Sequence, residues 1–212
     1  MIEYRVATME DTERLADLTS RAFEFCPLFY NGLRGSFNNQ EDYYEYIKKL
    51  FKVLVTSYVR NSCGVVGIIN DKIVSMALII EPESKDIGIF EYLKSGGKSL
   101  LPSFISRPLL SLLISIDDGL KSCETKRNEY TWHLEMLAVD VEMQGEGLGS
   151  HMIENCVFPM VIKNGAKNMT LVTNEDKNTT FYKKFGFKEF NRSILKQKYG
   201  ETDNWSLIKK FE

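Results

Sequence analysis

His133-Leu134-Glu135-Met136-Leu137-Ala138-Val139, followed closely by Gln144-Gly145-Glu146-Gly147-Leu148-Gly149-Ser150, is the stretch on which the fold of this chain turns. The first piece alternates apolar and polar residues and then becomes wholly apolar, the pattern of a strand passing into an interior. After the second, Leu148, Met152, Cys156 and Met160 recur every four residues, joined by Ile153 and Val157, and Lys163-Asn164-Gly165 supplies a helix stop. The order over residues 130–164 is therefore strand, glycine loop, helix. Pro159 falls inside the helical pattern, where it removes the bond to the carbonyl of Asn155 and should kink or end the helix.

A helix begun by glycines has unpaired N–H groups and a partial positive charge at its start. The loop therefore either cradles a diphosphate with main chain alone or makes a tight strand-to-helix turn. Two familiar phosphate loops are excluded. Gly149 is followed by Ser150 where a P-loop needs lysine, and Gly145, Gly147 and Gly149 are evenly spaced with only a short chain after them, unlike the dinucleotide fingerprint.

Gln144, Gly147 and Gly149 fit QxxGxG, and downstream Asn178-Thr179-Thr180-Phe181-Tyr182-Lys183-Lys184-Phe185-Gly186-Phe187 fits NxxFYxxxGF. On these two ordered motifs the sequence resembles the GNAT superfamily of acyl-CoA-dependent N-acyltransferases. Trp132-His133-Leu134, Gly149-Ser150 and Trp205 look like the subgroup containing puromycin N-acetyltransferase. The likeness covers residues 130–212 well, residues 1–82 by pattern, and the segment between them hardly at all. It implies an α/β (α+β) fold: a central mixed, mostly antiparallel sheet of about seven strands, splayed between strands 4 and 5 and flanked by helices. One domain over residues 1–212, with a helical insertion at about 83–129, is the expected organisation.

The totals agree with that expectation. A chain of 212 residues suits one substantial core, and a net charge of −2 gives no basic field for nucleic acid or an anionic membrane. Cys26, Cys63, Cys123 and Cys156 have no CxxC spacing and no signal-like segment precedes Ile2-Glu3-Tyr4-Arg5-Val6, so free thiols and a cytoplasmic location are expected. With only His133 and His151, no metal site is expected. The longest apolar run, Pro108 to Ile116, is too short to span a bilayer.

Along the chain, strand Ile2 to Ala7 leads into the capping-box pattern Thr8-Met9-Glu10-Asp11 and a helix whose apolar face is Leu15, Leu18, Ala22 and Phe23. Aromatic residues then crowd from Phe23 to Tyr58. Tyr43, Ile47, Leu50, Phe51 and Leu54 have helical spacing and read as core, whereas the irregular Phe25 to Phe37 piece is the better candidate for substrate contact. Gly64 to Ile69 and Ile73 to Ile80 read as a hairpin about Asn70-Asp71-Lys72. The segment after Pro82, broken at Gly96-Gly97, Pro102 and Pro108, reads as two or three short helices over the sheet edge. Met169 to Thr173 is a strand parallel to that of 132–139. Helix Asn178 to Phe185 and strands near Phe187 to Leu195 and Asn204 to Phe211 complete the chain.

The resemblance also assigns chemistry. The pantetheine arm of acetyl-CoA, the implied co-substrate, would pair with Leu137, Ala138 and Val139, and its diphosphate would sit on amides of Gln144, Gly145, Glu146, Gly147, Leu148, Gly149 and Ser150. Thr173, Asn178, Phe181 and Tyr182 would complete the coenzyme side, although Asn178 is equally well explained as a helix N-cap. Tyr182 matches the family tyrosine that protonates the leaving sulfur. Glu135 and His133 share a strand face and are the first and second choices for the base, unless both are structural. Asp140 reads as a turn residue and His151 as solvated. The implied activity is direct transfer, in a ternary complex, of an acetyl group to a primary amine of a small molecule such as a xenobiotic, antibiotic or metabolite. A protein or peptide acceptor, and a noncatalytic acyl-CoA sensor with the same loop, remain open. No nucleic-acid, membrane or metal partner is expected, and the assembly is a monomer or homodimer.

Overall fold

The computed structural model describes residues 1–61, 63–82, 84, 87, 89–100 and 106–211. Seven strands form one sheet in the order β1-β2-β3-β4-β5-β7-β6. They are β1 Glu3–Val6, β2 Cys63–Ile69, β3 Lys72–Ile80, β4 Thr131–Val139, β5 Asn168–Thr173, β6 Lys188–Gln197 and β7 Gly200–Lys210. Among the described residues only β4 and β5 run parallel; the other neighbours are antiparallel. The helices are α1 Thr12–Phe23, α2 Pro27–Leu33, α3 Gln40–Asn61, α4 Ile89–Lys94, α5 Ser106–Glu124, α6 Leu148–Met152, α7 Phe158–Lys163 and α8 Asp176–Lys183. This is the expected fold class, and α4 and α5 lie between β3 and β4.

Local chemistry explains most boundaries. Asn70 and Asp71 both take positive φ, 49° and 60°, as the tight β2–β3 hairpin requires. The Thr8 N–H donates to Asp11 Oδ2 at 2.7 Å ahead of α1, and the Arg5 guanidinium pairs with the same carboxylate at 2.6 Å. Leu15 and Leu18 of α1 pack with Val55 and Tyr58 of α3 over β2, β3 and Ala138 of β4. On the opposite face, Met152, Val157 and Val161 cover Trp132, Leu134, Met169 and Leu171.

Pro159 acts upstream of itself. It occupies the first turn of α7, where its missing N–H is not needed, and the chain before it widens into a π turn at Ile153–Val157 that joins α6 to α7. The helix is thus continuous from Leu148 to Lys163, with a wide turn in place of a break.

Four expectations are corrected. The insertion does not hold short helices alone, since α5 runs 19 residues, with Pro108 inside its first turn, where proline is tolerated. It also lies on the face of β5, β7 and β6, not merely at the edge. The piece from Phe25 to Phe37 is not irregular: it contains α2 and a 3-10 turn at Arg34–Ser36. Helix α8 begins at Asp176 instead of Asn178 and ends at Lys183, because Gly186 turns the chain at φ 84°. Strand β7 begins at Gly200 instead of near Asn204, because its polar start is held on α2, where the Asn31 amide donates to the Glu201 carbonyl at 3.0 Å. The expected break at Pro102 and the thiol of Cys63 lie outside the described residues.

Candidate active site

The site follows from how β4 is paired on its two edges. Toward β3 the pairing continues to Ser75↔Val139, but toward β5 it stops at Leu134↔Leu171. Beyond that point the parallel strands separate, and the β5-facing edge of β4 from Glu135 to Val139 has no strand partner. This is the splay between strands 4 and 5 that the resemblance implied. The separation coincides with a β-bulge: Ile79 pairs with Leu134 and Leu78 with Met136, so Glu135 is the extra residue. Met136 accordingly packs on the α3 face and Leu137 on the opposite one. Glu135 and Met136 therefore stand side by side under α3.

A cavity of ≈ 230 Å³ opens over the splay. Phe23 of α1, Phe29 of α2, Leu54 and Tyr58 of α3, and Leu113 and Ile116 of α5 wall it on one side of the sheet. Tyr182 and Asn178 of α8 reach it from the other, with Thr173 at the end of β5. One continuous space thus passes through the sheet between β4 and β5.

Glu135 lines this gap and His133 stands just before it on the paired part of β4, with side chains 18% and 13% exposed. Glu135 Oε2 and His133 Nε2 lie 3.6 Å apart, too far for a direct hydrogen bond, and neither atom has a hydrogen-bond partner among the described residues. His133 Nδ1 sits 2.9 Å from Thr170 Oγ1, across the His133↔Thr170 register of the parallel pair. A second cavity of ≈ 80 Å³, lined by Cys123, Thr131 and Thr170, reaches the same two residues from the side of β5 and α5. Burial raises the Glu135 carboxyl above its ordinary range, against a smaller opposing effect of the Tyr58 hydroxyl beside it. Burial, aided by Arg127, pushes His133 down to about 4. The imidazole is therefore neutral at physiological pH, and Glu135 is the stronger base of the two.

The His133 shift has a consequence for stability. Its folded value lies below the unfolded one near 6.5, so the unfolded chain binds the extra proton, and stability present above pH 6.5 is lost as pH falls toward 4. The loss expected is about 3 kcal/mol. Urea melts at pH 7 and pH 4.5 should show a smaller acid loss in His133→Gln than in the parent; equal losses would remove His133 as their source.

The glycine loop forms the second half of the site. Asp140 caps the 3-10 turn Val141–Met143, accepting from the Glu142 N–H at 3.1 Å, and is paired to Lys72 at 2.8 Å, so it is the turn residue expected. The Gln144 amide donates to the Val139 carbonyl at 3.3 Å and folds the loop onto the strand end. Gly145 and Gly147 take φ 87° and 82°, and a Cβ on either would meet nothing within 4 Å. The first main-chain bond of α6 runs from the His151 N–H to the Gly147 carbonyl at 2.9 Å. The amides of Leu148, Gly149 and Ser150 precede it without helical acceptors. Gly149 lies against Phe181 and Val139, which places α8 beside the loop. The loop thus combines open amides, a helix start and an unfilled approach, as a diphosphate group requires.

On α8, Tyr182 packs on Phe181 and Phe187 at 5.1 and 5.7 Å between ring centroids, and burial holds its phenol well above its ordinary pKa. Asn178 is not an N-cap, since the helix starts earlier; its side chain lines the cavity and makes a 3.5 Å contact with Glu175. His151 is exposed as expected, yet its Nδ1 lies 2.6 Å from the Tyr4 hydroxyl.

Sequence reasoning missed Tyr58, Thr170 and the α5 wall. Tyr58 continues the apolar spacing of α3 and carries no separate signal, and Thr170 acquires meaning only from the strand register. Of the piece from Phe25 to Phe37, Cys26, Leu28 and Phe29 line the cavity, while Phe25 is 66% exposed and outside it. Among the described residues no group of side chains is arranged to hold a metal ion, and no helix is long and apolar enough to cross a membrane. Cys26, Cys123 and Cys156 are free.

Residues 114–189 match the family model described as an acetyltransferase (GNAT) domain. Solved structures share the fold at low identity. A protein from Corynebacterium glutamicum described as histone acetyltransferase HPA2 and related acetyltransferase is 16% identical, with 100% of this chain and 97% of that chain covered and a TM-score of 0.66. The polyamine N-acetyltransferase of Drosophila melanogaster is 14% identical, with both chains covered 100% and a TM-score of 0.61. The PaiA N-acetyltransferase of Thermoplasma acidophilum, solved in complex with coenzyme A, is 11% identical, with 100% and 99% covered and a TM-score of 0.59. No curated protein matches the sequence. From α5 into β6 the sequence is thus similar to an acetyltransferase (GNAT) domain, and over its whole length the chain shares the fold of these solved acetyltransferases.

Proposed function

We propose that this protein is an acetyl-CoA-dependent N-acetyltransferase that acetylates a primary amine of a small molecule by direct transfer in a ternary complex. The observation that carries this reading is the cavity that passes through the splay from Asn178 and Tyr182 of α8 to the buried Glu135 carboxylate, with the open amides of the glycine loop beside α8, where Gly149 lies against Phe181. Acetyl-CoA, when bound, supplies an activated acyl thioester. The amides from Gly145 to Ser150 hold its diphosphate, and the free edge of β4 from Leu137 to Val139 takes the pantetheine arm. Thr173, Asn178 and Phe181 line the same side.

An amine acceptor arrives largely protonated, so a base of raised pKa serves it. Glu135 has that character and is the base; neutral His133, held by Thr170, stands beside it as the second candidate. Tyr182 keeps its proton at neutral pH and donates it to the departing thiolate. The motif likeness to the puromycin N-acetyltransferase subgroup supports a small xenobiotic, antibiotic or metabolite as acceptor, and a cytoplasmic setting suits the free thiols.

The test is thiol release from acetyl-CoA across a panel of amines. Amine-dependent release supports the reading, while tight coenzyme binding with no release on small, peptide or protein amines would make the chain an acyl-CoA sensor. In the parent, kcat/KM should rise with pH through the raised pKa of Glu135, because only the ionised carboxylate accepts the proton. Glu135→Gln should flatten that limb and lower kcat/KM by about 100-fold. An unaltered limb would exclude Glu135 as the base.

A further inference from the structure

Helix α5 and its approach to the site suggest what the acceptor looks like. The sheet face that carries Glu135 is covered by two helical pairs. Helices α1 and α3 lie over β2 to β4, and α2 and α5 over β5 to β7, so the cavity lies in the seam between the pairs. Helix α5 is fixed there by contacts of its own. The Asn204 amide donates to the Gly119 carbonyl at 3.1 Å, a Cβ on Gly119 would come within 3.2 Å of Asn204 Oδ1, and Ser115 Oγ donates to the Lys196 carbonyl at 3.2 Å. Phe29, Leu54, Leu113, Ile116 and Met136 give the cavity apolar walls, and apart from its carboxylates the polar side chains that share its lining, among them Tyr58, Asn174, Asn178 and Asn204, are uncharged. Among the described lining residues the carboxylates are Glu135 and Glu175. Glu175 is paired to Lys177 at 2.9 Å and is partly exposed, which leaves Glu135 as the one buried anionic group, with an oxygen that has no partner.

Such a pocket discriminates by charge count. One ammonium meets Glu135, whereas a second, at the far end of a chain of similar length, would be placed among Phe29, Leu54 and Ile116 with no second buried carboxylate to neutralise it. We propose that the acceptor is a monoamine with an apolar alkyl or aryl body, and that Leu113 and Ile116 of α5 set this preference against diamines and polyamines. This rests on the acetyltransferase reading above.

The test compares hexylamine and 2-phenylethylamine with 1,6-diaminohexane and spermidine, reading kcat/KM for thiol release from acetyl-CoA. The diamine differs from hexylamine only in its second amino group. The monoamines are expected to lead by about 100-fold or more. Equal or better turnover of the diamine would overturn the proposal and leave the acetyltransferase reading standing. No turnover of any amine, with coenzyme A still bound, would overturn both. Ile116→Glu should narrow the hexylamine-to-diaminohexane ratio at least about tenfold by giving the second ammonium a partner, whereas Ile116→Leu should keep it. Leu113→Glu, at a position 42% exposed, makes the same test should Ile116→Glu not fold. An unchanged ratio in a folded glutamate variant would overturn the role of α5.

Discussion

Tyr182→Phe is expected to lower kcat by about 100-fold with little change in coenzyme A affinity. The argument lies in what the substitution leaves alone. The ring contacts to Phe181 and Phe187 belong to the aromatic face, which phenylalanine keeps, so neither α8 nor the loop that Phe181 touches should move. What disappears is one hydroxyl lining the cavity, whose burial keeps it protonated at neutral pH. A group that holds its proton in the ground state and loses it to a departing thiolate acts on the transition state alone, so the loss belongs in kcat. Pre-steady-state thiol release and coenzyme titration separate the two quantities. A variant with unchanged turnover would remove Tyr182 from this role.

The second large effect belongs to the loop. Gly147→Val is expected to weaken coenzyme A binding by about 100-fold or more, because two penalties coincide. A β-branched residue at φ 82° is strained whatever the space around it, and its side chain would project into the unfilled region before the amides of Leu148, Gly149 and Ser150. Gly165 provides the control. It has φ 84° and equally open surroundings, but it ends α7 at the far end of the same helical run. Gly165→Val should bring a similar loss of thermal stability with unchanged coenzyme affinity. Equal affinity losses in both variants would assign the effect to backbone strain and not to the loop.

Those two residues were legible in the sequence because their signals are local. Glycines at alternate positions before a four-residue apolar period identify Gln144 to Ser150 and α6 without any tertiary information, and the second motif places Tyr182. The parallel β4–β5 pair follows from the helix between them. What escaped was whatever depends on partners distant along the chain. The bulge at Glu135 exists only because the consecutive residues Leu78 and Ile79 pair with Met136 and Leu134, one on either side of it; nothing in His133 to Val139 announces it. His133 and Glu135 were placed on one face by alternation, which holds because it is at Met136, after the extra residue Glu135, that the alternation breaks. Helix α5 was read as shorter pieces because Pro108 looks like a break, although in a first turn it costs nothing. Its apolar residues Leu109, Leu112, Leu113 and Ile116 have helical spacing, yet spacing does not distinguish Leu112, which is core, from Leu113 and Ile116, which face the cavity. Tyr58 was hidden in the same way among the buried residues of α3.

The measurement that bears most directly on the central claim is a crystal structure of the chain with coenzyme A. The account predicts the diphosphate on the main-chain amides between Gly145 and Ser150, the pantetheine arm along the free edge of β4 between Leu137 and Val139, and the sulfur in the cavity between Glu135 and Tyr182. Coenzyme A bound elsewhere, or a loop left empty at saturating coenzyme, would contradict it.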